Sequence, residues 1–398
     1  MSLGRYPASA AHLDRARRVV QGAASTLSKR PERFPLGAYP VFLERGQGAH
    51  VWDIDGHRYT DWILGLGPLT LGSAHPVVND AVRRQLQAGS CFSLPHRLEV
   101  EYAEQLLPLI PCARPDGLIR FVSTGTEADM AAVRIARMAT SRDVIVKCGY
   151  HGWADWTVAA EDVHLGVPKA MEDLVSRFAY NDLASLDERL DESAGNVAAI
   201  MLEPTLIEPP APGFLEGVRE RATRIGAVLI FDEIVLGFRL ALTGGQEYFG
   251  VVPDLATYGK AMANGFPIAA IVGRRDVMEH AWPISGTFGG NPIGLAAAQA
   301  VLGLYQRKPV IQALWSVGQR FQDGFNARAC YLGVSARCVG YPVHPVIRFH
   351  IANAHAVSMG LDDRINGLAM SLFLQETAAR GVLFHPAGFN TSSAHTDE

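Results

Sequence analysis

Lysine is scarce in this chain: among 398 residues it occurs only as Lys29, Lys147, Lys169, Lys260 and Lys308, far apart from one another. With a net charge of -4 and no dense arginine block, the sequence offers no basic field for a nucleic acid. Cysteine is equally sparse. The five present, Cys91, Cys112, Cys148, Cys330 and Cys338, are odd in number and form no CxxC pair, which argues against a disulfide framework or a structural zinc site and fits a reducing cytoplasm. No stretch approaches the roughly 18 consecutive apolar residues of a membrane span. Met1 to Gln21 is polar and Arg-rich, without the apolar segment of a secretory signal. The expectation is a soluble, cytoplasmic protein with no metal.

What is present is an ordinary globular composition, 48% hydrophobic and 19% charged, in a chain long enough for two or three domains. Residues 26–38, rich in Ser, Lys, Arg and Pro, read as an entry segment. Alternation of apolar and polar residues around Asp55-Gly56 predicts a hairpin. Thereafter amphipathic stretches at 78–88, 97–107, 127–138 and 214–225 alternate with apolar runs at 144–146, 197–202, 227–231 and 268–272. Apolar strands that do not alternate predict a largely parallel sheet covered by helices on both faces. Helical patterns at 293–306, 310–326 and 365–380, with β-like text from Val346, predict a smaller α+β domain. The expected division is 1–60 as N-terminal segment and hairpin of the small domain, 61–295 as the large α/β domain, and 296–398 as the rest of the small one.

Ligands of open α/β sheets bind beyond the carboxyl ends of the strands, so the residues that follow each apolar run are the candidates. They are Glu203-Pro204, Asp232-Glu233 and, after Leu255-Ala-Thr-Tyr, Gly259-Lys260. An acid directly after five apolar residues is partly desolvated and calls for a cationic partner, unless it merely caps a turn. A lysine at a sheet rim beside a glycine suggests an amine in use, although standing alone it would read as an ordinary solvated lysine. A P-loop would need Gly at position 254 and Ser or Thr at 261, where Asp254 and Ala261 stand. Gly65-Leu-Gly67 lacks the third glycine of a dinucleotide fingerprint, and neither HExxH nor GxSxG occurs. Ser123-Thr-Gly-Thr-Glu127, between a β-like run and a helix, can cradle a phosphate on free N–H groups, or Thr126 can serve as the helix N-cap. Ser285 to Pro292, also Gly-rich and ahead of a helix, is a second candidate loop.

Taken in order, Phe121-Val-Ser-Thr-Gly-Thr-Glu-Ala, Gly149-Tyr-His-Gly152, Glu203-Pro, Phe231-Asp-Glu-Ile-Val-Leu-Gly-Phe-Arg239, Pro253 to Lys260 and Gly286-Thr-Phe-Gly-Gly-Asn-Pro292 resemble class III, fold-type I pyridoxal-phosphate aminotransferases, in the branch of glutamate-1-semialdehyde aminomutase. The resemblance runs from about Pro40 to the C-terminus. It implies that Lys260 holds pyridoxal 5'-phosphate as a Schiff base and later moves the substrate proton, and that Asp232 pairs with the ring nitrogen. It further implies that Gly125 and Thr126 bind the phosphate, that Tyr150 and Ile234 cover the two ring faces, and that Thr287 reaches the neighbouring subunit's phosphate in a homodimer with shared sites.

The sequence departs from the aminomutase pattern where substrate should lie. Arg30 or Arg33 stands in place of the expected loop arginine, Trp153 and Trp156 follow Gly152, and Glu203-Pro204 lacks the usual Gly-Asn after it. The favoured expectation is an intermolecular aminotransferase that passes an amino group from a donor to a ketone or aldehyde through a pyridoxamine form, with Arg30, Arg33, Trp153 and Glu203 as substrate candidates. The alternatives are an intramolecular aminomutase and an inactive homodimeric binding protein.

Overall fold

A computed structural model describes residues 5–161, 166–205, 207–350 and 362–396, with the side chains of 362–364 left aside. It divides the chain into two units, residues 76–311 and residues 1–75 with 312–398. The boundaries at 75/76 and 311/312 compare with the 60/61 and 295/296 anticipated from the sequence.

The larger unit is built on seven strands: β1 Leu118–Val122, β2 Val144–Cys148, β3 Val175–Arg177, β4 Val197–Leu202, β5 Val228–Asp232, β6 Leu255–Tyr258 and β7 Ala269–Gly273. Their order across the sheet is β1-β7-β6-β5-β4-β2-β3. The pairs β6-β5, β5-β4, β4-β2 and β2-β3 are parallel, while β7 runs antiparallel to both neighbours. Successive strand residues serve opposite faces, which is why the runs read as continuously apolar. Ile145, Met201 and Ile230 enter the core under the helix Gly125–Thr140, whereas Val146, Leu202 and Phe231 pack with Leu215, Val218 and Leu186 on the other side. By the same alternation Asp232, two residues past Ile230, shares the face of the helix Gly125–Thr140.

The helices at 76–88, 97–106, 214–225 and 292–307 lie where their periodicity places them. The helix Gly125–Thr140 begins two residues before its amphipathic pattern, because Thr124 is its N-cap. The edge strand β3 was not anticipated; three residues carry too little pattern to be read.

In the smaller unit the strands Leu43–Gln47, His50–Asp53 and Arg58–Asp61 form an antiparallel meander, which Val382–Leu383 joins in parallel beside Arg58–Asp61. The hairpin turns at Asp55-Gly56, with Gly56 at φ +89° and the Asp53 carboxylate accepting from the N–H groups of Asp55 and His57. Ala336–Val339 and Val346–Phe349 make a second hairpin. A core of Tyr59, Leu374, Phe384 and Phe389 closes this unit. The helix Pro7–Val19, polar on average, lies in a stretch for which the sequence predicted no element; it buries Ser9, Leu13 and Ala16 along one face. Among the described residues no helix is long and apolar enough to cross a membrane.

Candidate active site

The carboxyl ends of the parallel strands gather the chemistry of the larger unit. Asp232 is the last residue of β5 and is almost wholly buried. Its Oδ1 accepts from the Ile234 N–H at 3.0 Å, and its Oδ2 lies 2.8 Å from His151 Nδ1. The other ring nitrogen of His151 is 3.0 Å from the Cys148 carbonyl at the end of β2. A carbonyl can only accept, so Nε2 carries a hydrogen, and a further proton lies between Nδ1 and the Asp232 carboxylate. Trp156, buried, stacks on the imidazole at 6.0 Å and 13°. The partner of Asp232 is thus His151, a residue of the Gly149–Gly152 motif that the strand-end rule does not select.

Lys260 follows β6 and enters a short turn with φ +38°, a left-handed backbone unusual for any residue with a Cβ. Burial holds its amine below the ordinary lysine range; Asp232 and Glu203 pull the other way, and Arg239 adds to the depression. Among the described residues the amine makes no hydrogen bond or close ion pair. A buried amine with a lowered pKa in a strained turn is suited to a covalent partner, since a larger share of it is unprotonated and able to act as nucleophile or proton acceptor.

The helix Gly125–Thr140 supplies the anion cradle. Its N-cap is Thr124, not Thr126: Thr124 Oγ1 accepts from the Glu127 N–H at 3.3 Å, and Glu127 Oε2 accepts from the N–H groups of Thr124 and Ser123 at 3.0 and 2.7 Å. This reciprocal cap leaves the N–H groups of Gly125 and Thr126, at the first two helical positions, without intrahelical acceptors, and leaves the Thr126 hydroxyl free of the capping role. A Cβ at Gly125 would stand 2.8 Å from Ile234 Cδ1, and one at Gly259 would stand 3.6 Å from Ile234 Cγ2. Ile234 therefore lies between the helix start and the turn that carries Lys260.

Glu203, at the end of β4, accepts from the Tyr150 N–H at 3.3 Å. Burial and then the Asp232 charge push its carboxyl up to about 7. Asp129, one turn into the helix, is a second acid that the sequence argument missed. Ligand atoms of Asp129, His151 and Asp232 all fall within 4.8 Å of one another. Both His151 nitrogens are committed to hydrogen bonds, so the trio is a proton-bearing cluster as it stands.

The remaining candidates lie more openly. Tyr150 is 72% and Trp153 78% exposed, and Thr287 lies on an exposed loop. Of the two tryptophans after Gly152, only Trp153 presents its indole outward. In the smaller unit Arg30 donates to Gln21 Oε1 at 2.8 Å and Arg33 is exposed. A cavity of about 320 Å³ there is bounded by Lys29, Phe34, Tyr39, Asp61 and His385.

These residues fit pyridoxal 5'-phosphate: a desolvated amine without a hydrogen-bond partner for its aldehyde, a buried carboxylate for its ring nitrogen, and free N–H groups with no side chain at Gly125 for its phosphate. Comparison with known proteins agrees. Residues 35–335 match the family described as aminotransferase class III. The chain is 36% identical over 391 residues to glutamate-1-semialdehyde 2,1-aminomutase of Syntrophobacter fumaroxidans, covering 90% of this chain and 87% of that protein. It is 36% identical over 346 residues to 3-aminobutyryl-CoA aminotransferase of Cloacimonas acidaminovorans, covering 84% and 82%. The solved structure of the FumI protein of Sphingopyxis sp. MTA144 in its PLP-bearing form superposes with a TM-score of 0.87 at 26% identity, covering 98% of this chain and 92% of that one.

Proposed function

The chain belongs to the class III aminotransferases, pyridoxal-phosphate enzymes, and from that premise we propose that it transfers an amino group between two separate molecules, an amino donor and a ketone or aldehyde acceptor. The observation that carries the chemistry is the buried Lys260 amine, unpaired and set among Asp232, Glu203 and Asp129. Bound there, the cofactor supplies the carbonyl that carries the amino group and a ring that accepts the electrons of the broken C–H bond.

The chain's own part is positional and protonic. The N–H groups of Gly125 and Thr126 would hold the phosphate and fix the ring's distance from β5, with Ile234 on one ring face and Tyr150 on the other. Asp232, oriented by Ile234 N–H and His151, would hold a proton on the ring nitrogen. Lys260 Nζ, whose pKa burial lowers, would take the proton from the substrate carbon and return it to the cofactor carbon. Trp153 and Glu203 are the candidates for substrate contact, and Arg30 or Arg33 the candidates for a substrate carboxylate. Intermolecular transfer is favoured by the departures around Trp153 and Glu203-Pro204 and by the aminotransferase relative; the similarity to the aminomutase supports intramolecular transfer as the second reading.

The working unit would be a homodimer. Thr287 lies in an exposed loop with Phe288, 60% exposed, beside clefts of about 490 and 290 Å³ that expose Val100 and Met130. Apolar side chains grouped around an open cleft are a surface suited to a partner, here a second copy.

Half-reactions separate the readings. Amino donors are added singly to the holoenzyme, the change in cofactor absorbance is followed, and acceptors are then offered to the aminated form. Intermolecular transfer predicts no turnover with one substrate and full turnover with two; turnover of a single amino-aldehyde without a partner would favour the mutase. Lys260→Ala should abolish borohydride fixation of cofactor and lower activity by at least about a thousandfold. Fixation and activity that survive this change would sink both readings.

A further inference from the structure

Three acids crowd the strand ends, and they are not equally supported. Asp232 has the Ile234 N–H at 3.0 Å and His151 at 2.8 Å. Glu203 has the Tyr150 N–H at 3.3 Å. Asp129 has only a hydroxyl: Thr257 Oγ1 donates to its Oδ1 at 2.7 Å, and no backbone N–H or cationic group bonds to it among the described residues. It is 1% exposed.

The placement follows from the fold. Asp129 lies four residues after Gly125, on the same side of the helix and one turn below the anion cradle. Thr257 sits on β6 in register with Asp232 on β5, so the hydroxyl that holds Asp129 is the cross-strand neighbour of the carboxylate for the ring nitrogen. The groups that face Asp129 are Asp232 from β5, Glu203 from the end of β4, Lys260 from the turn after β6, and His151 and Tyr150 from the loop after β2. His151 is already committed to Asp232, and Lys260 is the amine given to the cofactor.

Two carboxylates this close, both desolvated and served by one imidazole, do not both ionise. The less supported of the two keeps its proton.

We propose that Asp129 is a positioning residue of the cofactor site: it stands as a neutral carboxylic acid, so that a single negative charge, that of Asp232, faces the ring nitrogen. Burial, and then the charge of Asp232, lift the Asp129 carboxyl well above the ordinary carboxylate range, in keeping with this geometry. The helix thereby presents N–H groups to the phosphate at its first turn and a neutral polar group to the Asp232–His151 pair at its second. The proposal rests on the cofactor assignment and not on the choice between intermolecular and intramolecular transfer.

The test compares wild type with Asp129→Asn, which fixes the neutral state at nearly the same shape, and with Asp129→Ala should the amide fail to fold. One readout is the melting temperature of the cofactor-free full chain against pH. An acid whose folded pKa is raised loses stability as pH climbs from its unfolded value toward its folded one, so the gain of Asn over wild type should grow as pH rises above about 4 and vanish at the acid end. A difference that does not change with pH overturns the proposal. The second readout is the midpoint at which the bound cofactor's absorbance titrates in the holoenzyme. It should stay within about 0.3 pH units of wild type in Asp129→Asn, because one neutral group replaces another; a fall of about one unit would mean that a negative charge had been removed, and would refute the neutral assignment. A purely structural side chain would leave the first readout independent of pH. Loss of the cofactor spectrum in Lys260→Ala with both Asp129 results intact would bear on the lysine assignment alone.

Discussion

Gly152→Ala examines the cradle more sharply than removal of any ligand side chain. Gly152 has φ +87°, and a Cβ built there would lie 2.4 Å from Thr126 Oγ1 and 3.0 Å from both Thr126 Cβ and Cγ2. Two costs add. The left-handed backbone alone penalises an alanine by about 1–2 kcal/mol. The contact is worse than a clash with a flexible tip, because threonine is branched at Cβ and any rotamer leaves an atom near the intruder; overpacking of this kind costs about 1–3 kcal/mol. The sum, about 2–5 kcal/mol, is relieved by moving Thr126 at the helix start, where the phosphate is expected to sit. If about half of it falls on cofactor binding, affinity for pyridoxal phosphate drops by roughly 5- to 70-fold. Gly56→Ala is the matched control: its φ is +89° but nothing lies within 4 Å of a Cβ there, so it carries the backbone cost without the clash. The assay is titration of the cofactor-free chains with pyridoxal phosphate, followed by absorbance, alongside melting curves. Adding Thr126→Ala to Gly152→Ala should recover part of the lost stability. Equal cofactor affinity in the Gly152 and Gly56 variants would refute the placement of the cradle.

His151→Ala strips Asp232 of its ring partner inside a buried pair, for which a loss of about 3–5 kcal/mol in denaturant unfolding is expected, together with a changed pH titration of the bound cofactor; unchanged stability would remove His151 from the site. His395 sets an acid limit on stability. Its Nδ1 accepts from the Ser392 N–H at 3.2 Å and its Nε2 donates to the Asp61 carbonyl at 3.1 Å, so the fold is built around the neutral ring, and burial pulls its pKa to about 4. A base whose folded pKa is depressed stabilises only while it stays uncharged: its contribution is present above about pH 6.5 and lost as pH falls toward about 4, by up to about 3 kcal/mol. Asp61, raised to about 6 by burial, opposes this over part of the range, so the measurement is the wild-type minus His395→Gln stability difference against pH, which should narrow on acidification. Phe288→Glu places a charge on the exposed loop beside Thr287 and should shift sedimentation from dimer to monomer at micromolar concentration; an unchanged sedimentation coefficient would locate any dimer contact elsewhere.

The parts of the site that could be read in the sequence are those where one strand rule and one end rule coincide. Val228 to Phe231 announces a strand buried on both faces, and the residue that ends it must lie at the ligand-bearing edge, which selects Asp232; the same logic selects Glu203 and Lys260. Asp129 escaped because it sits inside a helical pattern, where a polar residue is ordinarily assigned to the wet face. The usable signal was local: it falls among Ala128, Ala131, Ala132 and Ile135, all buried, so an acid there faces the sheet and not solvent. The choice of cap failed for a similar reason. Thr124 and Thr126 both precede the apolar pattern, but only Thr124 stands three residues before Glu127, the spacing that lets each side chain satisfy the other's backbone. That spacing has a chemical consequence beyond helix stability. With Thr124 and Glu127 bonded to each other, the helix start is fixed by groups one residue away from the cradle, and Gly125 and Thr126 keep their N–H groups available to an anion. Had Thr126 been the cap, its hydroxyl would have been turned to its own helix, and the first free N–H would have moved a further two residues along, away from Ile234 and the turn that carries Lys260. A Glu127→Ala exchange should therefore weaken cofactor affinity through the loosened cap, and Glu127→Gln should restore most of it, since an amide oxygen can still accept from Ser123 and Thr124. Equal affinity in all three proteins would show that the cap and the cradle are independent.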